Sequence, residues 1–181
     1  MSIDRRYAEA ASFREYVDAA EKNKELWTWG ARRAEVADDV VARAAAVGGR
    51  WHLLVLSEDW CGDAANSVPV VARLAELAPN LDLRILARDA NLDLMDAHLT
   101  GTSRAIPVVI LYDEQWTERA WWGSRPAPLQ HWVMTEGLAL PKEERYPRVR
   151  EWYARDRGRT TATELVELLE AAATLVRDDA A

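Results

Sequence analysis

Cysteine is almost missing from this chain. Among 181 residues there is only Cys61, so no disulfide can close within it and the fold must stand on packing. Phenylalanine is just as scarce, with one residue against nine tryptophans, which leaves indole rings among the large core side chains. A basic excess is also lacking. With 23 Lys and Arg against 30 Asp and Glu, a net charge of −7 and a pI near 5.1, the scattered arginines exclude a nucleic-acid binder. Apolar stretches such as Leu53–Leu56 and Val68–Ala72 fall far short of the roughly 18 to 20 residues a bilayer helix needs. Asp4, Arg5, Arg6 and Glu9 stand where a signal peptide would place its apolar core, so the expected location is the cytoplasm. His52, His98 and His131 lie far apart, with neither metal-ligand spacing nor a nucleophile–base pattern, and no metal or bound cofactor is expected.

What is present is an ordinary globular mixture, 49% hydrophobic and 29% charged, long enough for one domain with extensions. Residues 1–50 read as a helical extension. Phe13, Tyr16, Val17 and Ala20 form one apolar stripe, Val36, Val40, Val41, Ala44 and Val47 another, with a linker holding Trp27, Trp29 and Gly30 between them and Gly48-Gly49 as the stop. Leu53–Leu56 is a short run without alternation, as in a strand covered on both faces. A helix follows on Ala64, Val68, Val71 and Leu74, with a kink expected at Pro69. Leu81, Leu83 and Ile85 alternate as a strand, and Asn91 opens a short helix as its cap. Val108–Tyr112 and Thr117–Trp122 make an antiparallel pair, the second at the sheet edge. Residues 138–181 are the second helical extension, with a capping box of Thr161 and Glu164 before the stripe Leu165, Leu168, Leu169, Ala172 and Val176.

The segment Ser57-Glu58-Asp59-Trp60-Cys61-Gly62-Asp63-Ala64 lies between a buried strand and a helix, where an open α/β sheet presents reactive groups. The positive end of the helix favours the thiolate of Cys61, and the thiolate is the nucleophile. Glu58, Asp59 and Asp63 oppose it by like charge, and the sequence does not set the balance. The competing account of Cys61 is a buried structural thiol, since free cysteine is among the most buried residue types.

Trp60-Cys61-Gly62-Asp63-Ala64 resembles the W-C-G-P-C motif of the thioredoxin-like superfamily with the second cysteine replaced by alanine. Pro69, eight residues after Cys61, matches the family's kink proline. Arg104-Ala105-Ile106-Pro107-Val108 resembles the segment carrying its cis-proline. The wording is most similar to a poorly characterised bacterial group. The resemblance implies a thioredoxin-like α/β fold, a mixed sheet flanked by helices over residues 51–137, with helical extensions at both ends packed on the same domain. It implies Cys61 as nucleophile, with Trp60, Gly62, Asp63, Ile106 and Pro107 in contact with substrate. Ala64 removes the resolving cysteine and Val55 occupies the family's buried-acid position, leaving Glu58 or Asp59 as proton acceptors that approach from the loop. The expected function is monothiol exchange, with a protein disulfide or a low-molecular-weight thiol as partner. The alternative is a redox-inactive binding or assembly module on the same scaffold. Trp116, Trp121 and Trp122 read as packing residues or, less simply, as a platform around the thiol.

Overall fold

The computed structural model describes residues 1–179, so residues 180 and 181 of the expected C-terminal extension lie outside the described residues. Residues 1–50 hold four helices rather than two: α1 (Ile3–Glu9), α2 (Phe13–Ala19), α3 (Lys24–Arg33) and α4 (Asp38–Ala46). A capping box opens α2, where Ser12 Oγ accepts the Glu15 N–H and the Glu15 carboxylate accepts the Ser12 N–H. The segment expected as a linker is α3. Its apparent breakers are packing devices: Trp27 is fully buried, and a Cβ on Gly30 would stand 2.9 Å from the Pro69 ring. Glycine lets this helix lie directly on the one that carries Pro69.

Next come β1 (Trp51–Ser57), α5 (Gly62–Leu77), β2 (Leu81–Ala87), α6 (Leu92–Asp96), β3 (Val108–Tyr112), β4 (Glu118–Gly123), α7 (Ala127–Thr135), α8 (Lys142–Asp156) and α9 (Arg159–Asp179). The sheet order is β2-β1-β3-β4, with β2 parallel to β1 and both other pairings antiparallel. This is the expected mixed sheet flanked by helices, with β4 at one edge as expected and β2 at the other. Every residue of β1 and β3 is buried, while β2 alternates as its sequence does. Pairing of Leu56 with Val108, and of Val108 with Gly123, brings three chain segments to one sheet end. They are the loop after β1, the loop before β3 and the turn after β4.

Two expected caps are not made. The Asn91 side chain donates to the Ala87 carbonyl and caps no N–H of α6. The Thr161–Glu164 box is absent because α9 begins two residues earlier, where the Asp156 carboxylate accepts the Thr160 N–H and hydroxyl. Glu164 instead accepts Trp122 Nε1–H and the Ala127 N–H, both at 2.8 Å, tying α9 to β4 and to the first turn of α7. Leu165, Val166, Leu169 and Ala172 of α9 enter the main core, each large aliphatic side chain being worth about 1.5–3 kcal/mol. Arg43 makes a two-pronged pair with Glu170 between α4 and α9.

Candidate functional site

Cys61 is the N-cap of α5. Its Sγ accepts the Ala64 N–H at 3.4 Å, so the thiol itself caps the helix. On its other side Sγ donates to the Ile106 carbonyl, also at 3.4 Å. The Ile106–Pro107 peptide is cis. Only 8% of the residue is exposed. Burial pushes the thiol above its ordinary pKa and outweighs the rest: the N–H groups of Ala64 and Asp63 and the Arg125 charge pull it down, while the Asp63 charge pushes it up. The opposition left open by the sequence is decided by desolvation, against the thiolate.

The three neighbouring carboxylates go elsewhere. Glu58 accepts the Asp89 N–H at 2.8 Å. Asp59 accepts the N–H groups of Glu21 and Lys22 at 2.9 and 2.8 Å, which hold its carboxyl below the usual range. The Asp59 carbonyl accepts Trp27 Nε1–H and Asn23 Nδ2–H. Neither acid reaches in as the expected proton acceptor, because backbone donors at the α2–α3 turn and after β2 have claimed them. Asp63 pairs with Arg125 at 2.6 Å and accepts the Tyr153 hydroxyl at 3.0 Å. Burial, then the Asp63 charge, keeps Tyr153 protonated well above its ordinary range.

A cavity of about 530 Å³ opens over this sulfur, within the roughly 300–1,000 Å³ typical of small-molecule sites. Trp60, Cys61, Gly62, Asp63 and Ile106 line it. Pro107 is buried and is not among the lining residues. Trp60 is 43% exposed, and the Arg88 guanidinium lies 5.2 Å from its ring centre. Asn23 and Leu26 at the start of α3 and Tyr146, Val149 and Arg150 from α8 also line it, so segments from both ends of the chain border the site. The structure thus brings five of the six sequence-predicted residues to one cavity, and the sixth, Pro107, is buried next to the lining residue Ile106 and does not line it.

The other tryptophans are not its platform. Trp116 stacks on His52 at 4.0 Å beside Tyr7, Trp121 meets His98 edge-on, and Trp122 bonds Glu164. His98 is engaged with the Leu94 carbonyl and Glu118. Among the described residues no group of three or more His, Cys, Asp or Glu side chains is placed to hold a metal ion, and no helix is long and apolar enough to cross a membrane.

Sequence reasoning missed Arg125, Tyr153, Arg88 and Arg150. Arg125 carried a usable signal, since it follows Gly123, whose partner across the sheet is the residue after Pro107. A Cβ on Gly123 would sit 2.3 Å from the Pro107 carbonyl, at φ +155°. The close approach that requires glycine also delivers Arg125 to the thiol. Tyr153 lies 90 residues from Asp63, and nothing local marks it.

Two solved structures share the architecture. A protein of unknown function from Pseudomonas aeruginosa superposes with a TM-score of 0.76 at 19% identity, covering 95% of this chain and 99% of that one. An HIV epitope-scaffold gives 0.72 at 17%, covering 94% and 99%. These likenesses speak for the fold alone. No curated protein matches. A family model described as Thioredoxin matches residues 10–144, taking in α2–α4 as well as the sheet, and by that match the chain belongs to the thioredoxin family.

Proposed function

We propose that this protein is a monothiol member of its family, carrying out thiol–disulfide exchange through Cys61. One observation carries the reading: the sulfur caps α5, lies 3.4 Å from the Ile106 carbonyl and lines an open cavity. In the first step the Cys61 thiolate attacks one sulfur of a disulfide R–S–S–R, forming Cys61–S–S–R and releasing R–S⁻, which takes a proton from water. Ala64 offers no second thiol, so a separate low-molecular-weight thiol or a partner protein's thiol must attack the mixed disulfide and return Cys61 reduced. Trp60, Gly62 and Asp63 on one side and Ile106 and Pro107 on the other would flank the incoming disulfide, with extended backbone pairing at Ile106 in the manner of strand addition. The compartment that suits such chemistry is the cytoplasm, which keeps thiols reduced.

The raised pKa sets the tempo. Each unit above ambient pH lowers the thiolate fraction about tenfold while nucleophilicity recovers only about half of that on a logarithmic scale, so exchange is slow near neutrality and accelerates with pH. With no carboxylate at Val55 and Asp63 committed to Arg125, the thiol proton leaves to solvent through the cavity. The same burial favours a second reading, a redox-inactive binding module in which Cys61 serves as a packed cap. Incubation of the folded protein with bis(2-hydroxyethyl) disulfide, followed by intact-mass spectrometry, separates the two. Exchange predicts one adduct on Cys61 without unfolding, and the module predicts an adduct only in denaturant.

A further inference from the structure

The cavity over Cys61 differs in charge from the molecule that contains it. The chain as a whole carries −7, yet the cavity is lined by Arg88, Arg104, Arg125 and Arg150 against a single carboxylate, Asp63. That carboxylate is fully committed, to Arg125 and to the Tyr153 hydroxyl. Arg88 and Arg104 are held in place by Asp89 and Asp96, whose side chains do not line the cavity. Arg88 also donates to the Arg104 carbonyl while resting on Trp60, so the two form one fixed rim. Arg125 keeps a buried Nε–H without a partner. The side chain of Arg150, from α8, makes no hydrogen bond or ion pair among the described residues. Four guanidinium groups of an acidic protein thus line the cavity that holds its one thiol, and guanidinium groups match carboxylates in geometry as well as charge.

We infer that this cavity binds a small carboxylate-bearing thiol or its disulfide, the carboxylates meeting Arg150 and the Arg88–Arg104 rim while the sulfur faces Cys61. The volume suits a small molecule, and arginines supplied by separate segments of the chain, α8 and the loops after β2 and before β3, suit a ligand with more than one acidic group. Binding stands on the cavity alone, and only the covalent step rests on the exchange reading above. There Cys61–S⁻ attacks the bound disulfide R–S–S–R, Cys61–S–S–R forms and R–S⁻ departs; a different thiolate, R′–S⁻ of a partner protein, then attacks the mixed disulfide, forming R–S–S–R′ and returning Cys61–S⁻.

The test is a charge series at constant chemistry. Dithiodipropionate is a dianion, bis(2-hydroxyethyl) disulfide is neutral and cystamine is a dication. Each rate of Cys61 adduct formation at low salt is divided by the rate with the same protein in denaturant. The dianion is expected to exceed the neutral reagent about tenfold and cystamine to be slowest. Arg150→Glu, an exposed position with no partner to orphan, is expected to narrow the gap, as is added salt. Equal normalised rates, or cystamine fastest, would overturn the inference and leave exchange standing. If no reagent modifies the folded protein, exchange falls and calorimetry with S-methylglutathione, which cannot exchange, judges binding by itself. A heat of binding weakened several-fold by Arg150→Glu upholds the anion site, and no binding overturns it.

Discussion

Two clamps hold the loop that presents Cys61, one from the N-terminal helices and one from the β4–α7 turn together with α8, and they are built differently. From the N-terminal side, backbone N–H groups of Glu21 and Lys22 grip the Asp59 carboxylate while Trp27 and Asn23 grip its carbonyl. From the C-terminal side, Asp63 is held by a guanidinium and a buried phenol, with Asp63 and Arg125 side chains only 13% and 24% exposed. The first clamp is made mostly of neutral dipoles and fixes a shape. The second encloses opposite charges next to the sulfur, and those charges act on the thiol in opposite directions. Position alone would make the extensions look equivalent. Chemistry makes one a support and the other a control on reactivity.

The sharpest way to break that contrast is to remove the charge on one side only. Asp63→Ala leaves Arg125 partly buried without its counter-ion and is expected to lower stability by about 2–3 kcal/mol in urea denaturation. It should also speed iodoacetamide alkylation of Cys61 at pH 7.5, because the carboxylate that raises the thiol pKa is gone while the guanidinium that lowers it stays. Unchanged alkylation would erase the difference between the clamps. Asp59→Ala should lose about 1 kcal/mol, the scale of a helix cap, with alkylation within twofold of wild type; a large acceleration would show that shape, not charge, governs access. Tyr153→Phe removes one hydrogen bond to Asp63 and should cost about 1 kcal/mol or less, with a small rise in alkylation rate. The smallest effect is in acid. Asp59 has a folded-state pKa below its unfolded value, so its contribution is present above roughly pH 4 and fades as pH falls through the lowered value. Asp59→Asn should flatten the stability curve there, and an identical acid slope in the variant would remove Asp59 from the account.

The sheet was legible because β1 and β3 are apolar along their length and β2 alternates, patterns that burial on two faces or one imposes directly. The site was legible at Cys61 and at Ile106–Pro107, which carried the family resemblance, and the register of Leu56 with Val108 explains why they meet. The helix α3 was misread because Gly30 looks like a breaker in sequence, whereas its missing side chain accommodates Pro69 from another helix. The Glu164 box failed for a related reason: a residue suited to capping its own helix was taken by Trp122 and Ala127. Tyr153, Arg88 and Arg150 come from α8 and from the turn after β2, and only the folded chain gathers them around one thiol. Tertiary partners override local grammar wherever two elements compete for the same group.

Native-state adduct formation on Cys61 across pH 6 to 10, read by intact mass with bis(2-hydroxyethyl) disulfide, bears most directly on the central claim. Exchange through Cys61 predicts a single adduct on folded protein, with a rate that climbs about tenfold per unit through neutrality as the buried thiol begins to ionise. A sulfur that stays unmodified over that range, and reacts only once the chain is unfolded, would contradict it.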